Sequence, residues 1–176
     1  MISSEFLESN IEKNFSSYES RKRAISDLKA FIKKESSLID DSVIKAPIKE
    51  TISKRCELND DVIHFVANQF FSNDESKLNI IAVGGYGRGE FYPKSDTDLL
   101  ILLEKNTKND LKKNISKFLT FLWDIGIEAS HSTRTVNECI KESKRDISVG
   151  TSLLESRSIF GSKTLFSEYQ KKVLLK

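Results

Sequence analysis

The sequence predicts an α/β domain behind a helical lead-in, and three observations carry that reading. From residue 78 onward, apolar runs and amphipathic stretches follow the order strand, loop, strand, helix, strand, helices. The run Leu99-Leu100-Ile101-Leu102-Leu103 is apolar at every position, as expected of a central strand covered on both faces. Before residue 76 the chain is polar, with apolar residues at roughly helical spacing. The change divides the chain into a helical extension, residues 1–75, and an α/β core, residues 76–176.

In the extension, Ile11, Phe15, Tyr18, Ile25, Leu28 and Ile32 form one helical series. Val62, Phe65, Val66, Phe70 and Phe71 form another. Two or three helices are expected, with Pro47 the only breaker and an internal loop over 34–46. Leu78–Val83 and Leu99–Leu103 read as strands. Leu111, Ile115, Phe118, Leu119, Leu122 and Trp123 lie on one face of a helix that ends near Gly126, with Phe118 and Trp123 in the core. Ile127–Val136 reads as a third strand. Residues 146–160 read as a helix closed by Gly161, and 163–175 as another. His64 is expected on a helix surface.

Composition excludes several classes. Basic and acidic residues number 28 and 26, a net charge of +2, which gives no electrostatic case for nucleic acid or an anionic membrane. No apolar run is long enough for a transmembrane helix, and Met1-Ile2-Ser3-Ser4-Glu5 lacks the basic and apolar regions of a signal peptide. Cys56 and Cys139 stand alone, which fits reduced thiols in the cytoplasm. With only two histidines, widely spaced, no zinc pattern forms.

The chemistry concentrates between residues 84 and 98. Four of the seven glycines fall in Gly84-Gly85-Tyr86-Gly87-Arg88-Gly89, directly after an apolar segment. Ser95-Asp96-Thr97-Asp98 then leads into the apolar strand. Residues at i and i+2 of a strand share a face, so Asp96 and Asp98 aim at one point beyond a loop of little bulk. Two carboxylates about 4 Å apart repel by roughly 4 kcal/mol at an effective dielectric of 20. A divalent cation removes that cost, and Mg²⁺ suits two carboxylates plus substrate phosphates. Transfer of a nucleotidyl or phosphoryl group is the chemistry that uses such a metal beside a glycine loop.

Each residue also has a plainer reading. Gly84 and Gly85 make a tight turn, or let backbone N–H groups approach a triphosphate; the Asp-x-Asp that follows favours the second. A dinucleotide fold is disfavoured, because Phe91-Tyr92-Pro93 breaks the helix that a Rossmann pattern opens at its glycines. Arg88 is either a solvated loop charge or a bidentate phosphate clamp. Ser95 is either a turn residue or part of the nucleotide site. Glu128, on the third strand, is either exposed or a third carboxylate, with Asp146 and Glu155 as alternatives. His131 is either structural or a general base.

A strand, a Gly-Gly turn, a short spacer and Asp-x-Asp on a second strand resemble the DNA polymerase β-like nucleotidyltransferase superfamily. The fuller string Val83-Gly84-Gly85-Tyr86-Gly87-Arg88-Gly89-Glu90, Pro93, Ser95-Asp96-Thr97-Asp98-Leu99-Leu100 is similar to the N-terminal domain of bacterial PII uridylyltransferase/uridylyl-removing enzymes. Leu122-Trp123-Asp124, His131-Ser132-Thr133-Arg134-Thr135, Glu138-Cys139 and Leu153-Leu154-Glu155-Ser156-Arg157 continue it in order. The resemblance implies a small mixed sheet flanked by helices. It also implies Mg²⁺-dependent transfer of UMP from UTP to a tyrosine of the PII nitrogen-regulatory protein. Asp96 and Asp98 would hold the metal, and Gly84, Gly85, Arg88 and Ser95 would bind the nucleotide. The family's enzymes also carry an HD hydrolase domain that removes UMP and glutamine-sensing ACT domains. With no His-Asp dipeptide in the chain, the resemblance implies a truncated piece. Another nucleotidyltransferase, such as an adenylyltransferase, and a non-catalytic nucleotide- or PII-binding module are the alternatives.

Overall fold

A computed structural model describes residues 2–11, 13, 15, 17–42 and 46–174. Three helices form the lead-in: α1 (Ile2–Asn10), α2 (Tyr18–Ser42) and α3 (Ile48–Phe71). α2 turns Ala24, Leu28 and Phe31 inward, at i, i+4 and i+7. It corrects the expected loop over 34–46. No glycine or proline stands between Tyr18 and Ser42, and the lysines and glutamates there favour a helix, so nothing ends it sooner. The rest of that expected loop, 43–45, lies outside the described residues. α3 follows Pro47 and packs against α1 and α2.

The core is a four-stranded sheet of β1 (Leu78–Ala82), β2 (Thr97–Leu103), β3 (Ala129–Thr135) and β4 (Arg157–Gly161), in the order β3-β2-β1-β4. β1 runs antiparallel to β2 and β4, whereas β2 and β3 are parallel. The helix α5 (Asn109–Asp124) makes the crossover that a parallel pair needs. After β3 come α6 (Val136–Arg145) and α7 (Ile147–Leu154), and after β4 comes α8 (Lys163–Tyr169). This is the small mixed sheet flanked by helices that the resemblance implies.

Alternation along the strands makes two cores. Ile80, Ala82, Leu99, Ile101 and Leu103 face a large cluster with residues of α1, α2, α3 and α5. Ile81, Leu100 and Leu102 face a smaller one with Val136, Cys139, Leu153, Leu165 and Tyr169. β2 is therefore covered twice, as its unbroken apolar run requires. Asp98 alternates with Leu99 and so lies on the smaller-cluster side, level with its register partner Ser130 on β3.

Four further expectations are corrected. The helix expected over 146–160 is α7 followed by β4. Asp146 caps α7 by accepting from Ser148 N at 2.8 Å, and the chain then turns to pair Phe160 with Ile80 and Arg157 with Ala82. Long-range pairing thus overrides local propensity. The helix expected over 163–175 divides into α8 and a wider π-type turn over Gln170–Leu174. A one-turn helix, α4 (Gly84–Gly87), does open at the glycines; the break at Phe91-Tyr92-Pro93 comes too late to prevent a single turn. Trp123 is 64% exposed rather than buried, since it sits beside the Leu111, Ile115, Phe118 and Leu122 stripe and not on it. Phe118 is buried and His64 exposed, as expected. No helix among the described residues is long and apolar enough to cross a membrane.

Candidate active site

The end of β1 and the start of β2 are stitched together where the glycines begin. Val83 N donates to Asp98 O at 3.1 Å, and the chain then enters α4. Gly84 has φ +61°, a conformation that side chains rarely adopt. A Cβ there would lie 3.3 Å from Ser152 Oγ and 3.8 Å from Asp98 Oδ2. Asp98 and Ser152 therefore converge on bare backbone. A Cβ at Gly87 would lie 1.9 Å from the Glu155 carbonyl oxygen, so this glycine is a packing requirement. Gly85 is different: a Cβ there meets nothing closer than 3.7 Å, and the fold has room for it.

Asp98 is half-buried. Burial, and then the neighbouring Asp96 charge, push its carboxyl above the usual carboxylate range. It borders a cavity of about 340 Å³ lined also by Ser130, Ser132, Arg134, Ser148 and Ser152. Asp96 stands just before β2, exposed, on a second cavity of about 480 Å³ between the sheet end and α2 and α3. Ser95, Lys94, Arg55 and Glu128 border that second cavity too. The two aspartates thus border different cavities rather than one common point, yet stand close enough for the Asp96 charge to push the Asp98 carboxyl up.

The other candidates have structural engagements. Arg88 donates from Nε and Nη2 to Glu90 Oε2 at 2.9 and 2.7 Å, and from Nη1 to Glu155. A phosphate would have to displace these carboxylates. Ser95 Oγ accepts from Tyr92 N at 3.2 Å, inside a turn. Glu128 is exposed, and its carbonyl accepts from Thr97 N. His131 borders the Asp98 cavity, but its register partner is Leu99, so strand alternation assigns its ring to the opposite face from Ser130 and Ser132. Asp146 is used in capping α7, and Glu155 in holding Arg88. Among the described residues no three of His, Cys, Asp and Glu gather closely enough to hold a metal by themselves.

Sequence reasoning passes over a network that fixes the glycine turn. The Tyr86 hydroxyl donates to Asp60 Oδ1 at 2.5 Å. Arg157, on β4, pairs with the same carboxylate and donates from Nη2 to the Tyr86 carbonyl at 3.2 Å. Its guanidinium also lies 5.3 Å from the centre of the Tyr86 ring. Burial, then the Asp60 carboxylate, push the Tyr86 phenol well above its usual range. α3, α4 and β4 are thereby locked into one unit. The only sequence signals for it are the tyrosine within the glycine string and the arginine ending Leu153–Arg157.

The family described as nucleotidyltransferase domain matches residues 66–151, which include the glycine turn, both aspartates and β3. The chain carries a nucleotidyltransferase domain. Over 118 residues it is 46% identical to the bifunctional uridylyltransferase/uridylyl-removing enzyme of Pseudomonas putida, covering 67% of this chain and 13% of that protein. The enzyme of the same name from Pseudomonas savastanoi is 39% identical over 142 residues, 80% of this chain and 16% of the relative. That from Vibrio campbellii is 37% identical over 151 residues, 85% and 17%. The matched stretch of this nucleotidyltransferase-domain chain thus spans 13 to 17% of these relatives' length.

Proposed function

We propose that the domain transfers a nucleoside monophosphate from a nucleoside triphosphate to an acceptor hydroxyl, with UTP as donor and a tyrosine of PII as acceptor. The convergence of the half-buried Asp98 carboxylate and Ser152 on the side-chain-free backbone at Gly84 carries this reading. The uridylyltransferase name of the relatives favours UTP, and the resemblance to PII uridylyltransferases favours the acceptor.

In the reaction the acceptor oxygen forms a bond to the α-phosphorus. The bond from that phosphorus to the bridging oxygen breaks, the electron pair leaves on pyrophosphate, and the acceptor proton passes to solvent. Two adjacent carboxylates offer only oxygen donors and leave room for phosphate oxygens, a set that fits Mg²⁺. Asp96 and Asp98 would hold it, and when bound it would offset the charge on the phosphates. The glycine turn gives the triphosphate backbone to lie against where a side chain at Gly85 would intrude. The buried thiols of Cys56 and Cys139 fit a reducing, cytoplasmic setting.

The test is a titration of the four common nucleoside triphosphates, with and without Mg²⁺, followed by transfer of labelled nucleotide to PII. Mg²⁺-dependent binding, strongest for UTP and lost in Asp96→Asn and Asp98→Asn, is the expected result. Equal binding without Mg²⁺, or full binding in the double variant, would overturn the reading. A preference for ATP would change the donor and make the protein an adenylyltransferase.

A further inference from the structure

We infer that Arg134, at the end of a row of hydroxyls on β3, is the cation that binds the pyrophosphate end of the nucleotide. The inference rests on the proposed nucleotidyl transfer and assigns the anion-binding side of that site. Strand register supplies the geometry. Asp98 is level with Ser130, Leu100 with Ser132 and Leu102 with Arg134. Alternation then puts Ser130, Ser132 and Arg134 on the Asp98 face of β3. All three border the Asp98 cavity, with Ser148 and Ser152 of α7 across from them. The cavity thus has a carboxylate at one end, a guanidinium at the other and hydroxyls between.

That arrangement matches a polyphosphate held by its α-phosphate near the aspartates. Four residues at about 3.3 Å each set Arg134 roughly 13 Å along the strand from Ser130. An extended arginine reaching back, together with a triphosphate chain, bridges such a gap. The serines can donate to non-bridging oxygens on the way, and guanidinium suits phosphate through paired N–H donors.

Charge pairing separates Arg134 from the other candidate. Arg88 is engaged by Glu90 and Glu155. Arg134 is half-buried and, among the described residues, makes no direct hydrogen bond or ion pair, although its charge reaches the Glu138 carboxylate, which the Thr135 cap already engages. With no direct partner, its paired N–H donors are available to an incoming phosphate. The leaving pyrophosphate gains charge as the bond breaks, so a cation at this end of the cavity favours departure.

Calorimetric titration of the 176-residue chain with inorganic pyrophosphate, UMP and UTP, each with Mg²⁺, tests the assignment. Arg134→Gln should weaken pyrophosphate and UTP about tenfold or more, in line with loss of a hydrogen bond to a charged group. UMP should change less than about twofold, and Arg134→Lys should recover part of the loss. Melting temperatures of both variants check the fold. Unchanged pyrophosphate and UTP binding in Arg134→Gln overturns the inference while the nucleotidyl-transfer reading stands. An equal loss for UMP overturns it as well, since the residue would then shape the site generally. If the unaltered chain binds none of the three, both readings fall together.

Discussion

Asp98 on β2 is level with Ser130 on β3, so a hydroxyl occupies the position beside the half-buried carboxylate. Ser130→Asp would place two like charges side by side across adjacent strands, which is destabilising. The metal-free variant should therefore melt below the parent chain. Mn²⁺ or Mg²⁺ should restore the loss and bind more tightly than to the parent. Melting curves in chelator and in each metal check both; a variant indifferent to metal would show that Ser130 does not share the Asp98 environment.

The glycine turn separates a packing glycine from a spacing one. Gly87→Ala drives a Cβ into the Glu155 carbonyl and should cost about 1–3 kcal/mol or more, read as a lower melting temperature. Gly85→Ala has room in the fold and should leave stability within about 1 kcal/mol. It should nonetheless weaken UTP binding. Paired denaturation and titration experiments distinguish these outcomes.

Asp60 serves two donors, Tyr86 and Arg157. Asp60→Asn and Arg157→Gln should each destabilise by about 1.5–3 kcal/mol, the range for hydrogen bonds to charged groups. The double variant should lose much less than the sum, because the second change removes a group already without its partner. Urea denaturation of the four proteins measures the coupling, and strict additivity would argue against a shared network.

α6 begins with a capping box in which Thr135 N donates to Glu138 Oε2 at 2.7 Å and Glu138 N donates back to Thr135 Oγ1. Backbone and side-chain donation from Thr135 holds the Glu138 carboxyl below its usual range. A carboxyl lowered in the folded state contributes stability above its unfolded pKa and loses it as pH falls through the folded one. Thr135→Ala should cost about 1 kcal/mol at pH 7. The difference from the parent chain should shrink under acid conditions once Glu138 is protonated. A pH series of melting temperatures for both proteins checks the direction.

What the sequence makes legible follows from how local the physics is. β2 and α5 announce themselves through patterns complete within their own residues, and the glycine turn through its composition. The Thr135-to-Glu138 spacing is an equally local helix start, yet apolar periodicity passes over it. β4 has no such signal: its five residues become a strand only by pairing with β1, far back in the chain. The Tyr86–Asp60–Arg157 contacts likewise join three separate stretches. Arg134 appears in the sequence only as one residue of the His131–Thr135 string, and it takes the β2–β3 register to reveal which face it shares.

Asp60 belongs to α3, whereas the tyrosine it holds belongs to the glycine turn, and α3 lies in the same core as the sheet. The compositional break near residue 76 is therefore not a mechanical joint. A protease that cut the exposed turn around Ser72–Lys77 should leave two pieces that migrate together under native conditions and part only in denaturant. A shorter chain starting at residue 76 should do worse than the nicked one, since it would leave α5 alone to cover one face of the sheet and the glycine turn without Asp60.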